Sequence, residues 1–178
     1  KESKEIKWDA QAAEKAGFEH FMMKEIHEQP KAVKDTLNSV VNDGVIDLTN
    51  VGLTKEDIEG ISQIHIVACG SAWHVGMVAQ YVIEDMARIP VRVELASEFR
   101  YRNPILDKNE LVIIISQSGE TADSLAALRE AKSMGIKTLA IVNVVGSSIA
   151  READNVFYTL AGPEISVATT KAYSTQLI

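Results

Sequence analysis

The sequence has little cysteine, no excess of basic charge and no long apolar run. Its one cysteine, Cys69, cannot form a disulfide within the chain, which favours the reducing cytoplasm. The 18 Lys and Arg residues against 25 Asp and Glu give a formal charge of −7. No basic face for nucleic acid or for an anionic membrane is therefore expected. The longest strongly apolar run, residues 111–115, is far shorter than the ~20 residues of a membrane span.

What is present is the composition of an ordinary globular domain, with 46% hydrophobic and 24% charged residues in a chain of 178. At about 150 residues per domain, this length fits one domain. Residues 1–9 are charged and no apolar stretch follows them, so they do not resemble a signal peptide. There is no initiator Met, and residues 168–178 resemble a helix that stops while still apolar. We therefore expect a segment of a longer protein.

The first quarter of the chain is predicted to be helical, in two pieces. Residues 8–43 carry helical spacing, and Pro30 is expected to break it. The second piece, residues 31–42, is predicted to bury four apolar side chains and to end at Asn42-Asp43-Gly44. These four are Val33, Leu37, Val40 and Val41. Thr54 is expected to cap a short helix that follows.

From residue 64 onward, short apolar runs alternate with helical patterns. The predicted strands are residues 64–68, 91–95, 111–115, 138–142 and 155–158. Such alternation predicts right-handed βαβ units. The fold class is therefore α/β, a three-layer doubly wound domain with a five-stranded parallel sheet. We expect strand order 2-1-3-4-5, as in flavodoxin-like folds, with helices preceding it.

Two hydroxyl-rich loops follow the first and third predicted strands. They are Cys69-Gly70-Ser71-Ala72 and the S-Q-S-G-E-T sequence of residues 116–121. In this strand order the sheet reverses between those strands, which is where ligands bind. A glycine and hydroxyls before a helix suit a phosphate monoester. The alternative is that Ser118 and Thr121 only cap the helix. Nucleotide-binding glycine motifs are absent from the sequence.

A third loop, residues 162–171, runs into the last predicted helix. Lys171 would lie in its first turn, where a cation is unfavourable unless an anion or carboxylate partners it. The alternative is a solvated surface lysine. His74 lies near the proposed site but is more readily explained by packing, and Cys69 is expected in the core. An ion-pair network with a structural role is expected for Glu98, Arg100 and Arg102.

Several segments together resemble one family, the glutamine–fructose-6-phosphate aminotransferases, whose isomerase part has the sugar-isomerase (SIS) fold. These segments are residues 17–30, 96–102, 116–123 and 162–172. The resemblance implies that Ser116, Gln117, Ser118 and Thr121 bind a sugar phosphate through its phosphate group. It also implies that Ser71, Thr169 and the Val167 carbonyl face the sugar. Lys171, His74 and Glu120 are further candidates for the site on the grounds of their positions in the sequence. Ala72 and Ser166 stand where the family has Ser and Gly.

The resemblance further implies how the chain is organised. Residues 1–45 would be a helical segment that follows a glutaminase domain, and residues 46–178 a SIS domain cut within its last helix. Fructose 6-phosphate or glucosamine 6-phosphate would bind, with no metal, no cofactor and no catalytic residue in this segment. We expect a cytoplasmic homodimer. Alternatives are a SIS sugar-phosphate deglycase, a SIS sugar-phosphate sensor of a transcription regulator and a purely structural dimerisation piece.

Overall fold

The computed structural model describes residues 14–178 and opens with helix α1, Phe21–Asn38. The helix continues through Pro30, so the predicted break there is wrong. A proline cannot donate to the carbonyl four residues before it, which here belongs to Ile26. The side-chain amide of Gln29 donates to that carbonyl instead, at 3.3 Å. Residues 1–13, which include the charged first nine residues and the start of the predicted helical region, lie outside the described part of the chain.

Helix α1 turns polar side chains toward the rest of the protein. Its buried residues are Lys24, Glu25, Ala32 and Thr36. Leu37, one of the apolar side chains predicted to be buried, is 44% exposed. The predicted burial of Leu37 is therefore wrong, although Val40 beyond the helix is buried as expected. The apolar pattern alone indicated the opposite face of the helix.

A small hairpin follows α1 where the sequence predicted only the end of a helix. Strands β1 (Val41–Asn42) and β2 (Val45–Ile46) pair in antiparallel fashion. Between them Asp43 and Gly44 have φ of 51° and 79°, as a type I′ turn requires. Helix α2 (Lys55–Glu59) comes next, and the hydroxyl of Thr54 accepts from the N–H of Asp57 at 3.1 Å. The predicted cap at Thr54 is confirmed.

The rest of the chain forms the predicted parallel sheet. Its strands are β3 (Gln63–Ala68), β4 (Val91–Leu95), β5 (Glu110–Ser116), β6 (Lys137–Val142) and β7 (Asn155–Tyr158). Their spatial order is β4-β3-β5-β6-β7, with every neighbouring pair parallel. This is the order 2-1-3-4-5, so the predicted fold class is confirmed. The order reverses between β3 and β5.

Helices cover both faces of this sheet. They are α3 (Gly70–Ala87), α4 (Ala96–Phe99), α5 (Ala122–Ser133), α6 (Ser148–Glu152) and α7 (Lys171–Gln176). Alternate strand residues enter two separate cores, for example Ile66 on the α3 side and Val67 on the α5 side. The apolar side chains of α3 are only partly buried, because Val75 is enclosed while Val78 and Val82 stay 43% and 50% exposed. None of the helices in residues 14–178 has the length and apolar character of a membrane span.

Candidate functional site

A cavity of about 260 Å³ opens at the carboxyl ends of β3 and β5, where the strand order reverses. Three loops form its walls: those after β3, after β5 and after β7. The lining residues are Cys69, Ser71, Ala72, Ile115, Ser116, Gln117, Ser118, Thr121, Glu164, Ser166, Val167, Thr169 and Gln176. A larger and mostly apolar groove of about 990 Å³ lies beside the β1–β2 hairpin and α2. We place the site in the smaller cavity, because the convergent polar groups lie there.

The loop of residues 116–121, hereafter the β5–α5 loop, is held by its own hydroxyl groups. The buried Ser116 hydroxyl lies 3.1 Å from that of Thr121 and accepts from the N–H of Gly119 at 3.1 Å. The Ser118 hydroxyl accepts from the N–H of Glu120 at 3.2 Å. Gly119 has a φ of 65°, which favours glycine. The loop is therefore folded into a tight arc before any ligand binds.

Helix α5 begins directly at this arc without a side-chain cap. Thr121 occupies the position before the helix, yet its hydroxyl makes no capping bond to α5. The alternative that Thr121 is only a cap is therefore wrong. The first N–H groups of an uncapped helix attract anions. Asp123 in the first turn would oppose this, but Arg100 is ion-paired with it at 2.7 Å and offsets its charge.

The third wall is tied together by Glu164, which lines the cavity. One of its carboxylate oxygens accepts from the Thr169 hydroxyl at 3.0 Å, and the other accepts from the Thr170 N–H at 2.7 Å. Val167 lies fully exposed at the rim. Glu164 is therefore engaged in shaping the wall, and it is the only carboxylate among the described residues that line the cavity.

Three further candidates lie away from the cavity lining. Glu120 accepts from the N–H of Ser148 at 2.7 Å, and hydrogen bonding by Ser148 holds the pKa of Glu120 below its usual range. His74 is exposed and packs edge-on against Trp73, with ring centroids 5.0 Å apart. Lys171 is only 3% exposed, so a solvated lysine is ruled out. Its ammonium pairs with Glu28 at 2.6 Å, the carboxylate partner that its helix position predicted.

Helix α1 supplies residues to the site region that the sequence analysis missed. Glu25, which is 2% exposed, accepts from the N–H groups of Ile165 and Ser166 at 2.6 and 3.1 Å and from the Ser166 hydroxyl. Farther along α1, Thr36 accepts from the N–H of Leu160 at 3.0 Å. Together with the Glu28 pair, these bonds brace the third wall against α1. No pattern in the sequence distinguishes a buried glutamate on an amphipathic helix from an exposed one, so the burial of Glu25 could not be predicted.

Asn143 at the end of β6 is a second residue that sequence reasoning missed. It is 4% exposed, and its side chain donates to the Gly162 carbonyl at 2.8 Å. Its oxygen accepts from the Ala161 N–H at 3.0 Å. The start of the third wall is thereby fixed to the sheet.

Two further residues line the cavity although the sequence analysis did not place them there. Cys69, predicted in the core, is half-buried at the cavity, with its sulfur 3.9 Å from the Ser124 hydroxyl. Gln176 from α7 also lines the cavity. The predicted network of Glu98, Arg100 and Arg102 is correct only for the two arginines. Arg100 pairs with Asp123 and Arg102 with Glu94, whereas Glu98 is exposed and takes part in no ion pair among the described residues.

Comparison with known proteins identifies relatives along the whole chain. Residues 58–178 match the family model described as the SIS domain. The glutamine–fructose-6-phosphate aminotransferase (isomerizing) of Caldanaerobacter subterraneus subsp. tengcongensis is 65% identical over 98% of the chain, and that of Clostridium acetobutylicum is 64% identical over all of it. The chain spans only 29% of the length of each of these relatives.

A solved structure agrees over nearly the whole chain. The C-terminal domain of glucosamine-fructose-6-phosphate aminotransferase from Francisella tularensis matches with a TM-score of 0.87 and 47% identity. The match covers 92% of this chain and 46% of that one. Tagatose-6-phosphate ketose/aldose isomerase from Escherichia coli, at 18% identity and a TM-score of 0.74, shares the fold.

Proposed function

The chain belongs to the SIS-domain family, and from that membership we propose that its cavity binds a sugar phosphate, fructose 6-phosphate or glucosamine 6-phosphate. The observation that carries this proposal is the hydroxyl-lined cavity at the point where the strand order reverses. Ser116, Gln117, Ser118 and Thr121 would hold the phosphate beside the uncapped start of α5. No cation lines the cavity in the described part of the chain, so neutral donors and the helix terminus supply the attraction.

The other two walls would contact the sugar. Ser71 lines the cavity after β3, and Val167 and Thr169 line it after β7. The Thr169 hydroxyl donates to Glu164, so toward a sugar it would act as an acceptor. Hydroxyl groups both donate and accept, as the hydroxyls of a sugar do. Ala72 leaves the first of these walls with one hydroxyl fewer than the family motif has. The hydroxyl of Ser166 is bound to Glu25, which keeps it engaged within the wall.

We further propose that this segment is the sugar-phosphate-binding half of the isomerase domain of an enzyme that makes glucosamine 6-phosphate from fructose 6-phosphate and glutamine. Relatives with 61–65% identity along the chain bear that aminotransferase name, which supports this function over a deglycase or a regulatory sensor. Residues 1–45 would connect to a glutaminase domain, and residues 46–178 would form the SIS domain.

The same proposal holds that the segment alone does not catalyse the reaction. Aldose–ketose interconversion needs a base that moves a proton between neighbouring carbons. Among the described residues that line the cavity, only Cys69 and Glu164 belong to residue types that serve as bases, and Glu164 is engaged with Thr169 and Thr170. The base would therefore come from elsewhere in the whole enzyme.

Calorimetric titration tests the binding proposal. Fructose 6-phosphate and glucosamine 6-phosphate are expected to bind and plain fructose is not, because the phosphate supplies the anchoring contacts. Thr121→Val and Ser118→Ala should each weaken sugar-phosphate binding about tenfold, the typical effect of losing one hydrogen bond. Ser133→Ala at the far end of α5 is the matched control and should bind as the unchanged chain does. Equal binding of fructose and fructose 6-phosphate would contradict the proposal.

We also propose that the chain pairs with a second copy and acts in the cytoplasm. Support for pairing comes from the outer face of α3, where Tyr81, Val82 and Met86 are 71%, 50% and 79% exposed. Contiguous apolar side chains on a surface mark interaction sites. Sedimentation velocity over a range of concentrations should show a dimer that Met86→Lys weakens. A monomer at every concentration would contradict pairing.

A further inference from the structure

We propose that Gln176 is a further ligand-binding residue of the cavity and that its side-chain amide recognises the hydroxyl-bearing part of the sugar phosphate. The proposal rests on the proposed function and adds a specificity-determining contact to it. Gln176 is the last residue of α7, and it lines the cavity together with the three loops. None of the sequence motifs includes it.

The side chain of Gln176 is buried without a partner. It is only 9% exposed, yet it forms no side-chain hydrogen bond with any of the described residues. The fully enclosed unpaired side-chain atoms among the described residues belong to Trp73 and Ser147, so the Gln176 amide still reaches the cavity, where a ligand can contact it. The neighbouring polar residues of the third wall differ, since Glu164, Ser166 and Thr169 all have partners within the chain. A bound molecule in the cavity would supply what Gln176 lacks.

The chemistry of the amide indicates which part of the ligand it contacts. A carboxamide carries both donors and an acceptor, and so do the hydroxyls of a sugar, whereas a phosphate dianion only accepts. The β5–α5 loop already supplies hydroxyl groups for the anion, and the first N–H groups of α5 lie beside them. Gln176 comes from the α7 wall, on the element that follows the predicted sugar contacts Val167 and Thr169.

Helix α7 is also fixed in place, so Gln176 is presented in a defined position. Lys171 at its first turn pairs with Glu28, and the Ser174 hydroxyl donates to Gln29 at 2.5 Å. Both partners lie on α1. An amide held on a braced helix loses little conformational entropy when it binds, which favours selective recognition.

The test is a pair of titrations, with fructose 6-phosphate and with inorganic phosphate, on the unchanged chain and on Gln176→Leu. Loss of one hydrogen bond should weaken fructose 6-phosphate binding about tenfold. Binding of inorganic phosphate should stay unchanged, because that probe has no sugar. Gln80→Leu is the matched control, since it removes a glutamine amide of α3 that donates to the Val91 carbonyl at 2.8 Å and does not line the cavity. It should leave both affinities near those of the unchanged chain.

Three results would overturn the inference: unchanged fructose 6-phosphate binding in Gln176→Leu, an equal loss with inorganic phosphate, or the same loss in Gln80→Leu. If Gln176→Leu does not fold, as judged by circular dichroism, Gln176→Asn takes its place, because its shorter amide should lose the same contact. Failure of the unchanged chain to bind fructose 6-phosphate would overturn the proposed function itself. The two failures are therefore distinguishable.

Discussion

Gly119 is the residue at which the β5–α5 loop meets the segment before α6. A Cβ at this position would lie 2.1 Å from the Ser147 hydroxyl oxygen and 2.5 Å from its Cβ, and φ is 65°. Ser147 is 3% exposed and cannot move outward freely. The Gly119 carbonyl also accepts from the Ile149 N–H at 3.0 Å, which joins the loop to α6. Glycine is required here both by the backbone conformation and by the space available.

Gly119→Ala should therefore destabilise the chain and weaken sugar-phosphate binding together. Left-handed backbone costs a non-glycine residue roughly 1–2 kcal/mol, and the contact with Ser147 adds to that. Gly135→Ala is the matched control, because Gly135 has a φ of 74° with nothing within 4 Å of its Cβ position. Urea unfolding should show a larger loss for Gly119→Ala than for Gly135→Ala. Equal losses would mean that Ser147 yields without cost.

At the scale of elements, helix α1 shows where pattern reasoning succeeds and where it stops. Helical spacing correctly predicted that this region is helical, but apolar periodicity selected the wrong face, because the contacts that seat α1 are polar. Those contacts join residues far apart in sequence, such as Glu25 with Ile165 and Thr36 with Leu160. The hairpin at Asp43-Gly44 was predictable, because Asp-Gly between apolar residues is a strong turn signal.

Removing the carboxylate of Glu25 should loosen the third wall. Glu25→Ala leaves the N–H groups of Ile165 and Ser166 and the Ser166 hydroxyl without their acceptor. Bonds to a charged acceptor contribute about 1.5–3 kcal/mol each, so we expect a loss of at least about 2 kcal/mol in unfolding free energy. Fructose 6-phosphate should also bind more weakly, as measured by calorimetry.

Asp35→Ala on the same helix provides the comparison for Glu25→Ala. Asp35 pairs with Lys31, whose side chain is 81% exposed. An ion pair of this kind contributes well under about 1 kcal/mol. Similar losses of stability in the two variants would show that α1 does not brace the wall.

At the scale of the whole molecule, the predictable part is the sheet and the loops at its carboxyl edge. Buried strands of a parallel sheet are continuous apolar runs, so their positions follow from local sequence, while their order was expected from the common doubly wound topology. The walls of the cavity follow in turn, because topology brings the loops after β3 and β5 together. What the sequence does not encode locally is the set of polar contacts between distant elements, including Asn143 with Gly162 and Lys171 with Glu28.

A second set of distant polar contacts lies across β3, β4 and β5. His65 is fully buried, 3.3 Å from Glu94 and 3.1 Å from Glu110. Arg102 binds the same Glu94 with two hydrogen bonds, at 2.5 and 2.6 Å. Burial alone would raise the pKa of Glu94, but hydrogen bonds from Arg102 and His65 outweigh it and hold the pKa below its usual value.

The lowered pKa of Glu94 predicts how stability depends on pH. A carboxylate whose pKa is lower in the folded state stabilises that state fully above its unfolded value, near 4.5, and loses this effect as pH falls through the folded value. Glu94→Gln should therefore reduce the free energy of unfolding by about 2 kcal/mol at neutral pH. Below a pH near 4.5, the free energy of unfolding of this variant should fall less steeply than that of the unchanged chain. Part of the decline should remain, because hydrogen bonding by Lys137 and Thr54 lowers the pKa of Asp57 to about 2. Urea unfolding at neutral and acidic pH measures the free energy of unfolding and its dependence on pH. Glu98→Gln, at an exposed position, is the control. Equal dependence of the free energy of unfolding on pH in Glu94→Gln and in the unchanged chain would contradict the prediction.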